Sequence, residues 1–207
     1  MSNKALDRTR YRASVSLDVR VPIFMESKEI IKYVKKSIKP LKDYDGSPLY
    51  RCSAILNDGL YLPCVAIKST KICVDLAIKR FDETRKVKKL HKSAGYRSIV
   101  ESFVCSGNRL NDYDVKSLDK SPYAIPVPRI SEMGGETSMG WTEFTGVMDD
   151  GSDYCFGTTF HTMFFDMPEG YTAERLVKLI HAVGGEPRRH DKVFREKPHF
   201  ECYVKKL

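Results

Sequence analysis

Long apolar runs are missing from this sequence. The longest stretches, such as residues 21–25, hold a few residues, against the roughly 20 that a membrane-spanning helix requires. No apolar segment follows the charges of the first residues, so no secretory leader is read and the expected compartment is the cytoplasm. Cys-x-x-Cys pairs are also absent. None of the six cysteines (Cys52, Cys64, Cys73, Cys105, Cys155, Cys202) has a histidine at zinc-finger spacing. Neither a metal site nor a disulfide framework is predicted, all six thiols are expected free, and no cofactor is implied. The chain carries no Gly-x-x-x-x-Gly-Lys, Gly-x-Gly-x-x-Gly, His-Glu-x-x-His or Gly-x-Ser-x-Gly, which removes the enzyme classes that depend on those motifs.

What is present has an ordinary globular balance. The 207 residues are 42% hydrophobic and 30% charged, enough for one domain with its own core. One domain over 1–207 is expected, with sub-halves 1–107 and 139–207 joined by a loop at 108–138. The net charge of +8 conceals a segregation. Residues 1–100 hold 22 Lys/Arg against 10 Asp/Glu, residues 101–170 hold 4 against 12, and residues 171–207 hold 9 against 5. Such a division attracts a polyanion to one face, pairs the regions with each other, or drives head-to-tail association.

Apolar residues alternate from Tyr11 to Val21, which predicts a half-buried strand that Pro22 ends. Ser27 is a candidate cap for a helix with Ile30, Ile31, Val34 and Ile38 on one face. Lys28, Lys32, Lys35, Lys36 and Lys39 lie mostly around the others, and Pro40 stops it. A two-residue turn at Asp58-Gly59 predicts a hairpin pairing Leu56 with Tyr61, Ala54 with Pro63, Cys52 with Val65 and Tyr50 with Ile67. A helix from about Lys71 would turn Val74, Ala77, Ile78 and Phe81 inward, and another would run from Tyr96 to Gly107. Residues 108–138 show no sustained period, so they read as a missed element or a functional loop.

Asp150-Gly151 predicts a second hairpin, with Trp141 facing Phe160, Thr145 facing Phe156 and Val147 facing Tyr154. Thr172 would cap a helix bearing Leu176, Val177 and Ile180, and Phe200, Cys202 and Val204 form a terminal strand. The predicted class is α+β, a mostly antiparallel sheet with helices on one face in the order β-α-β-β-α-(α)-loop-β-β-α-β. Its first half matches a ferredoxin-like opening.

Three features carry candidate chemistry. Arg85, Lys86, Lys88, Lys89 and Lys92 follow the point where a helix loses its apolar stripe, so they can neutralise phosphates, with the lysines of the first helix assisting. Glu143, placed by the predicted register among Trp141, Phe156 and Phe160, would serve as a general acid or base, with His161 on the other face. The loop at 106–114 brings Arg109 and Asp112 into one polar segment, for which capping and turn formation are the plainer role. These features favour a non-enzymatic binding protein whose basic N-terminal half meets an acidic partner, nucleic acid or an acidic protein. One alternative is a hydrolase with its site between loop 106–114 and the 140–165 hairpin, using Glu143, His161, Arg109 and Asp112. Another is a structural subunit that forms homo-oligomers through complementary charged halves.

Overall fold

The structure, a computed structural model, describes residues 25–43, 46–86, 107–159, 163–183 and 190–207. The strand predicted over 11–21 and the helix over 96–106 lie outside the described residues. The first described element is the predicted lysine-rich helix, α1 (Ser27–Ser37). Ile30 and Val34 are its fully buried positions. Ser27 does not cap it. Glu26 holds the N-cap position and its amide donates to Glu29 Oε2 at 3.2 Å, while the Ser27 hydroxyl donates to Asp112. The helix closes at Ile38, whose amide donates to the Val34 carbonyl, two residues before Pro40.

After α1 come β1 (Leu41–Lys42), β2 (Pro48–Leu56), β3 (Tyr61–Ser69) and α2 (Thr70–Lys86). The chain then forms β4 (Arg109–Leu110), a 3-10 turn (Asp112–Asp114), β5 (Val115–Lys120) and a short α3 (Val127–Ile130). Next are β6 (Thr142–Met148), β7 (Asp153–Thr158), a second 3-10 turn (Ala173–Arg175), β8 (Leu176–His181), β9 (Val193–Arg195) and β10 (Phe200–Val204). Strands dominate in two sheets with few helices, which is the predicted α+β class. Most pairings are antiparallel, but β10 runs parallel to β3 and β4, and β9 parallel to β7. The ferredoxin-like opening is not confirmed, because the strand beside β3 is the C-terminal β10.

Both Asp-Gly turns lie at antiparallel reversals, as predicted, but each has three loop residues rather than two. The Gly59 and Gly151 amides donate to the carbonyls of Leu56 and Met148, and each glycine takes a positive φ, +90° and +86°. That is a type I turn closed by a left-handed glycine, so the aspartate needs no positive φ. The extra residue moves the registers. In the first hairpin Tyr50 still faces Ile67 and Cys52 faces Val65, but a bulge brings Ala54 opposite Leu62. In the second, Phe144 faces Phe156, Thr145 faces Cys155 and Val147 faces Asp153, one residue from expectation. A one-residue slip exchanges the faces of a strand. Phe144 and Phe156 therefore stack in the core with ring centroids 5.5 Å apart, and Glu143 stands on the other side of β6.

Between the hairpins the missed-element reading holds, and the helix expected after the second is overturned. The predicted loop at 108–138 contains β4, a 3-10 turn, β5 and α3. The predicted helix after Thr172 is a single 3-10 turn followed by a strand, β8. Each strand carries a bulge of its own, Lys116 in β5 opposite the step Ile55/Leu56 and Val177 in β8 opposite the step Val147/Met148. The bulge puts buried residues three apart, Val115 and Leu118 in β5 and Leu176 and Leu179 in β8, so neither strand alternates in sequence.

The two sheets share one plan. In space the first runs β5-β2-β3-β10 and the second β8-β6-β7-β9, with β1 and β4 added to the first. In each, a hairpin is flanked by an antiparallel strand that leaves a 3-10 turn, and by a parallel strand on its far side. Leu56 pairs with Val115 as Met148 pairs with Leu176, and Cys52 with Lys120 as Phe144 with His181. The Asn57 and Asp149 amides donate to the matching carbonyls of Asp114 and Arg175, at 3.0 and 2.9 Å. The second unit lies in sequence between β5 and β10 of the first.

α1 covers one face of the first sheet through Tyr50, Cys52, Val65, Ile67 and Cys202. Leu49, Cys64 and Ala66 on its other face pack with Phe164. Burial on both faces explains the nearly continuous buried run of β2. The second sheet holds Phe144, Phe156, Phe165 and Leu176 in its own core. α2 departs from expectation, since Val74 is 39% and Ile78 56% exposed rather than turned inward.

Candidate functional site

Helical spacing places Lys28, Lys32, Lys35 and Lys36 at i, i+4, i+7 and i+8, one stripe opposite the buried Ile30 and Val34. All four are exposed, and among the described residues none is held in an ion pair. The nearby Glu29, whose carboxylate accepts the Glu26 amide bond, keeps its own charge and leaves the four lysines in excess. Lys28 to Lys36 spans about 12 Å of helix axis.

The acidic middle of the chain behaves differently. Arg175 Nη2 lies 2.7 Å from Asp149 and 3.2 Å from Asp150, Lys197 lies 2.6 Å from Asp166, and Arg129 lies 2.7 Å from Glu132. His190 Nε2 is 2.7 Å from an Asp153 oxygen. Hydrogen bonds from Ser152 and Tyr171 hold the Asp150 carboxyl far below its usual range. Part of the acidic segment's charge is thus offset in space, Asp149, Asp150 and Asp166 by Arg175 and Lys197 of the C-terminal third and Glu132 by Arg129 of the segment itself. The α1 stripe keeps its charge.

At the C-terminal end of α1 the stripe meets a cleft of 270 Å³. Lys39 and Lys120 stand at it, Ile38, Val127 and Pro128 give it apolar walls, and Arg51 closes it. Lys120 pairs with Glu174 at 2.9 Å, both more than half exposed. Arg51 is only 4% exposed, and burial brings its pKa down to about 10. Its guanidinium donates to the carbonyls of Ile125 at 2.5 Å and Met163 at 3.0 Å, which ties β2 to the segments leading into the second sheet.

The residues proposed for hydrolysis are distributed over both sheets. Glu143 is 7% exposed on β6 and accepts a hydrogen bond from Trp141 Nε1 at 3.2 Å. Arg109 belongs to β4 of the first sheet, its guanidinium 5.5 Å from the centre of the Tyr203 ring. Asp112 accepts the Ser27 hydroxyl bond at the start of α1. Contacts described for Glu143 stay in the second sheet, and those of Arg109 and Asp112 in the first. His161 lies outside the described residues. So do Lys88, Lys89 and Lys92 and the side chains of Arg85 and Lys86, whose backbone ends α2.

Arg109 borders a charged cluster that no sequence motif signals. Lys68 Nζ lies 2.7 Å from Glu201 and 3.4 Å from Asp43, and Tyr203 donates to Glu201 at 2.6 Å. Burial pushes the Glu201 pKa upward, but the bonds from Lys68 and Tyr203 outweigh it and leave the carboxyl below its ordinary value. Such mutual satisfaction marks a structural pair. Among the described residues no group of His, Cys, Asp and Glu is arranged to hold a metal ion, and no helix is long and apolar enough to cross a membrane. No family model matches this chain, and neither a curated protein nor a solved structure matches it.

Proposed function

We propose that this chain is a binding protein that docks a polyanion, nucleic acid before others, along the lysine stripe of α1. One observation carries the reading. Four exposed lysines share a helix face with no ion-pair partner among the described residues, while Asp149, Asp150 and Asp166 of the acidic segment are each held by a basic group. Phosphates attract clustered positive charge without regard to sequence, through release of condensed counterions. Packing does not account for the stripe, because the residues that fix α1 to the sheet are on its opposite side. A helix rather than a loop holds the charges in register, and its buried face resists reorientation on binding. The tail at Arg85, Lys86, Lys88, Lys89 and Lys92 extends the same chemistry.

Anisotropy of a labelled oligonucleotide tests the reading, comparing the protein with its Lys28→Gln, Lys32→Gln, Lys35→Gln, Lys36→Gln variant. Glutamine keeps helix propensity and removes charge, so circular dichroism should be unchanged. At low salt the wild type is expected to bind and the variant to lose at least about tenfold in affinity, close to 1.4 kcal/mol. No binding by the wild type at low salt would end this reading.

A further inference from the structure

The stripe does not simply stop. Lys39 continues it past the helix end and is also a wall of the 270 Å³ cleft. We infer that this cleft receives one unstacked nucleotide of a single-stranded nucleic acid. Its ring would lie against Ile38, Val127 and Pro128, and its phosphate between Lys39 and Lys120. This rests on the α1 reading and specifies the form of nucleic acid it takes.

Size and chemistry carry the inference together. The volume lies just below the range of about 300–1,000 Å³ found for drug-sized ligands, which suits one ring better than a larger ligand. A duplex keeps its bases stacked and presents phosphates and base edges but no ring face, so it can lie along α1 but cannot fill the cleft. A single strand can turn a base out at the cost of little stacking. The walls are aliphatic and offer a surface to any ring face, so no base is selected. The floor is stiff, because Arg51 is held by the Ile125 and Met163 carbonyls. Glu174 opposes the phosphate and is offset by its own pair with Lys120. That pair is exposed, and such a pair costs little to exchange for a phosphate.

The test compares a short mixed-sequence oligonucleotide, single-stranded and as its duplex, by anisotropy at one salt concentration. The wild type is expected to prefer the single strand by about tenfold, the scale of burying one ring face. Val127→Trp fills the cleft and should abolish that preference while leaving duplex affinity unchanged. Glu174→Gln removes the repelling carboxylate and should tighten single-strand binding about two- to fivefold. Adenosine monophosphate at millimolar concentration, added to the wild type, should erase the preference without displacing the duplex, a result independent of any variant's folding. Equal affinity for both forms, or a preference that survives the nucleotide competitor, overturns this inference and leaves the α1 reading standing. Failure to bind either form overturns both.

Discussion

A methyl group placed on Gly146 would lie 2.6 Å from Leu176 Cδ2 and 2.7 Å from Phe156 Cε2. Neither neighbour has room to give. Phe156 is fully buried, stacked on Phe144 at 5.5 Å and in edge contact with Phe165 at 6.2 Å. Leu176 is 3% exposed beside the bulge of β8, where it pairs with Met148 of β6. Gly146→Ala should therefore overpack this core, at about 1–3 kcal/mol. For a chain of this length each kcal/mol moves Tm by roughly 2–4 °C, so the variant should melt about 2–12 °C lower. Thermal unfolding followed by circular dichroism at fixed protein concentration measures it. Gly146 has no positive φ, so its backbone accepts alanine, and the 1–3 kcal/mol is the net loss after an unfolded-state entropy term of about 0.4–1 kcal/mol that favours the variant. An unchanged or raised Tm would refute the packing described for the second sheet. Adding Leu176→Ala removes one of the two obstructions, and the double variant should lose less than the two single losses together.

The buried pair in the first sheet gives a prediction against pH. Glu201 has a depressed pKa, so its contribution is present above the unfolded value of about 4.3 and is lost as pH falls through the lower folded value. Glu201→Gln should flatten the acid fall of Tm between roughly pH 5 and pH 3, and an equally steep fall in the variant would contradict the assignment. Burial raises the thiol pKa of Cys64 to about 11 and of Cys202 to about 12, and raises that of Cys52 as well. An aromatic disulfide reagent near pH 8 should leave these three unlabelled in the native protein. It should count all six thiols after denaturation without reductant, whereas a count below six would reveal a disulfide.

Particular residues show where the sequence sufficed. α1 was legible because Ile30, Val34 and Ile38 mark one face and Pro40 its end. Both hairpins were legible because Asp-Gly dipeptides punctuate apolar strands, but loop length was not. Asn57 and Asp149 are themselves turn-forming residues, but a two-residue Asp-Gly turn leaves them in the strands, and in the second hairpin that one position exchanged the face of β7 that β6 meets. β5 and β8 were obscured by their own bulges at Lys116 and Val177, which space Val115 from Leu118 and Leu176 from Leu179 as a helix would. Of the candidate site, the lysines of α1 could be read from their spacing. The cleft could not, because residues 38–39, 51, 120–128 and 174 meet only through the tertiary fold. The register that set Glu143 beside Phe156 was one residue off, so Glu143 keeps Trp141 as a neighbour and faces away from Phe156.

The central claim is that α1 presents its lysines to phosphates, and the salt dependence of binding tests it most directly. Each phosphate contact on a single strand contributes about 0.7 to the slope of log affinity against log salt concentration. Replacing Lys28, Lys32, Lys35 and Lys36 by glutamine should therefore make the slope shallower by about 3 if all four contact phosphates. Equal slopes for the wild type and the variant would contradict the account.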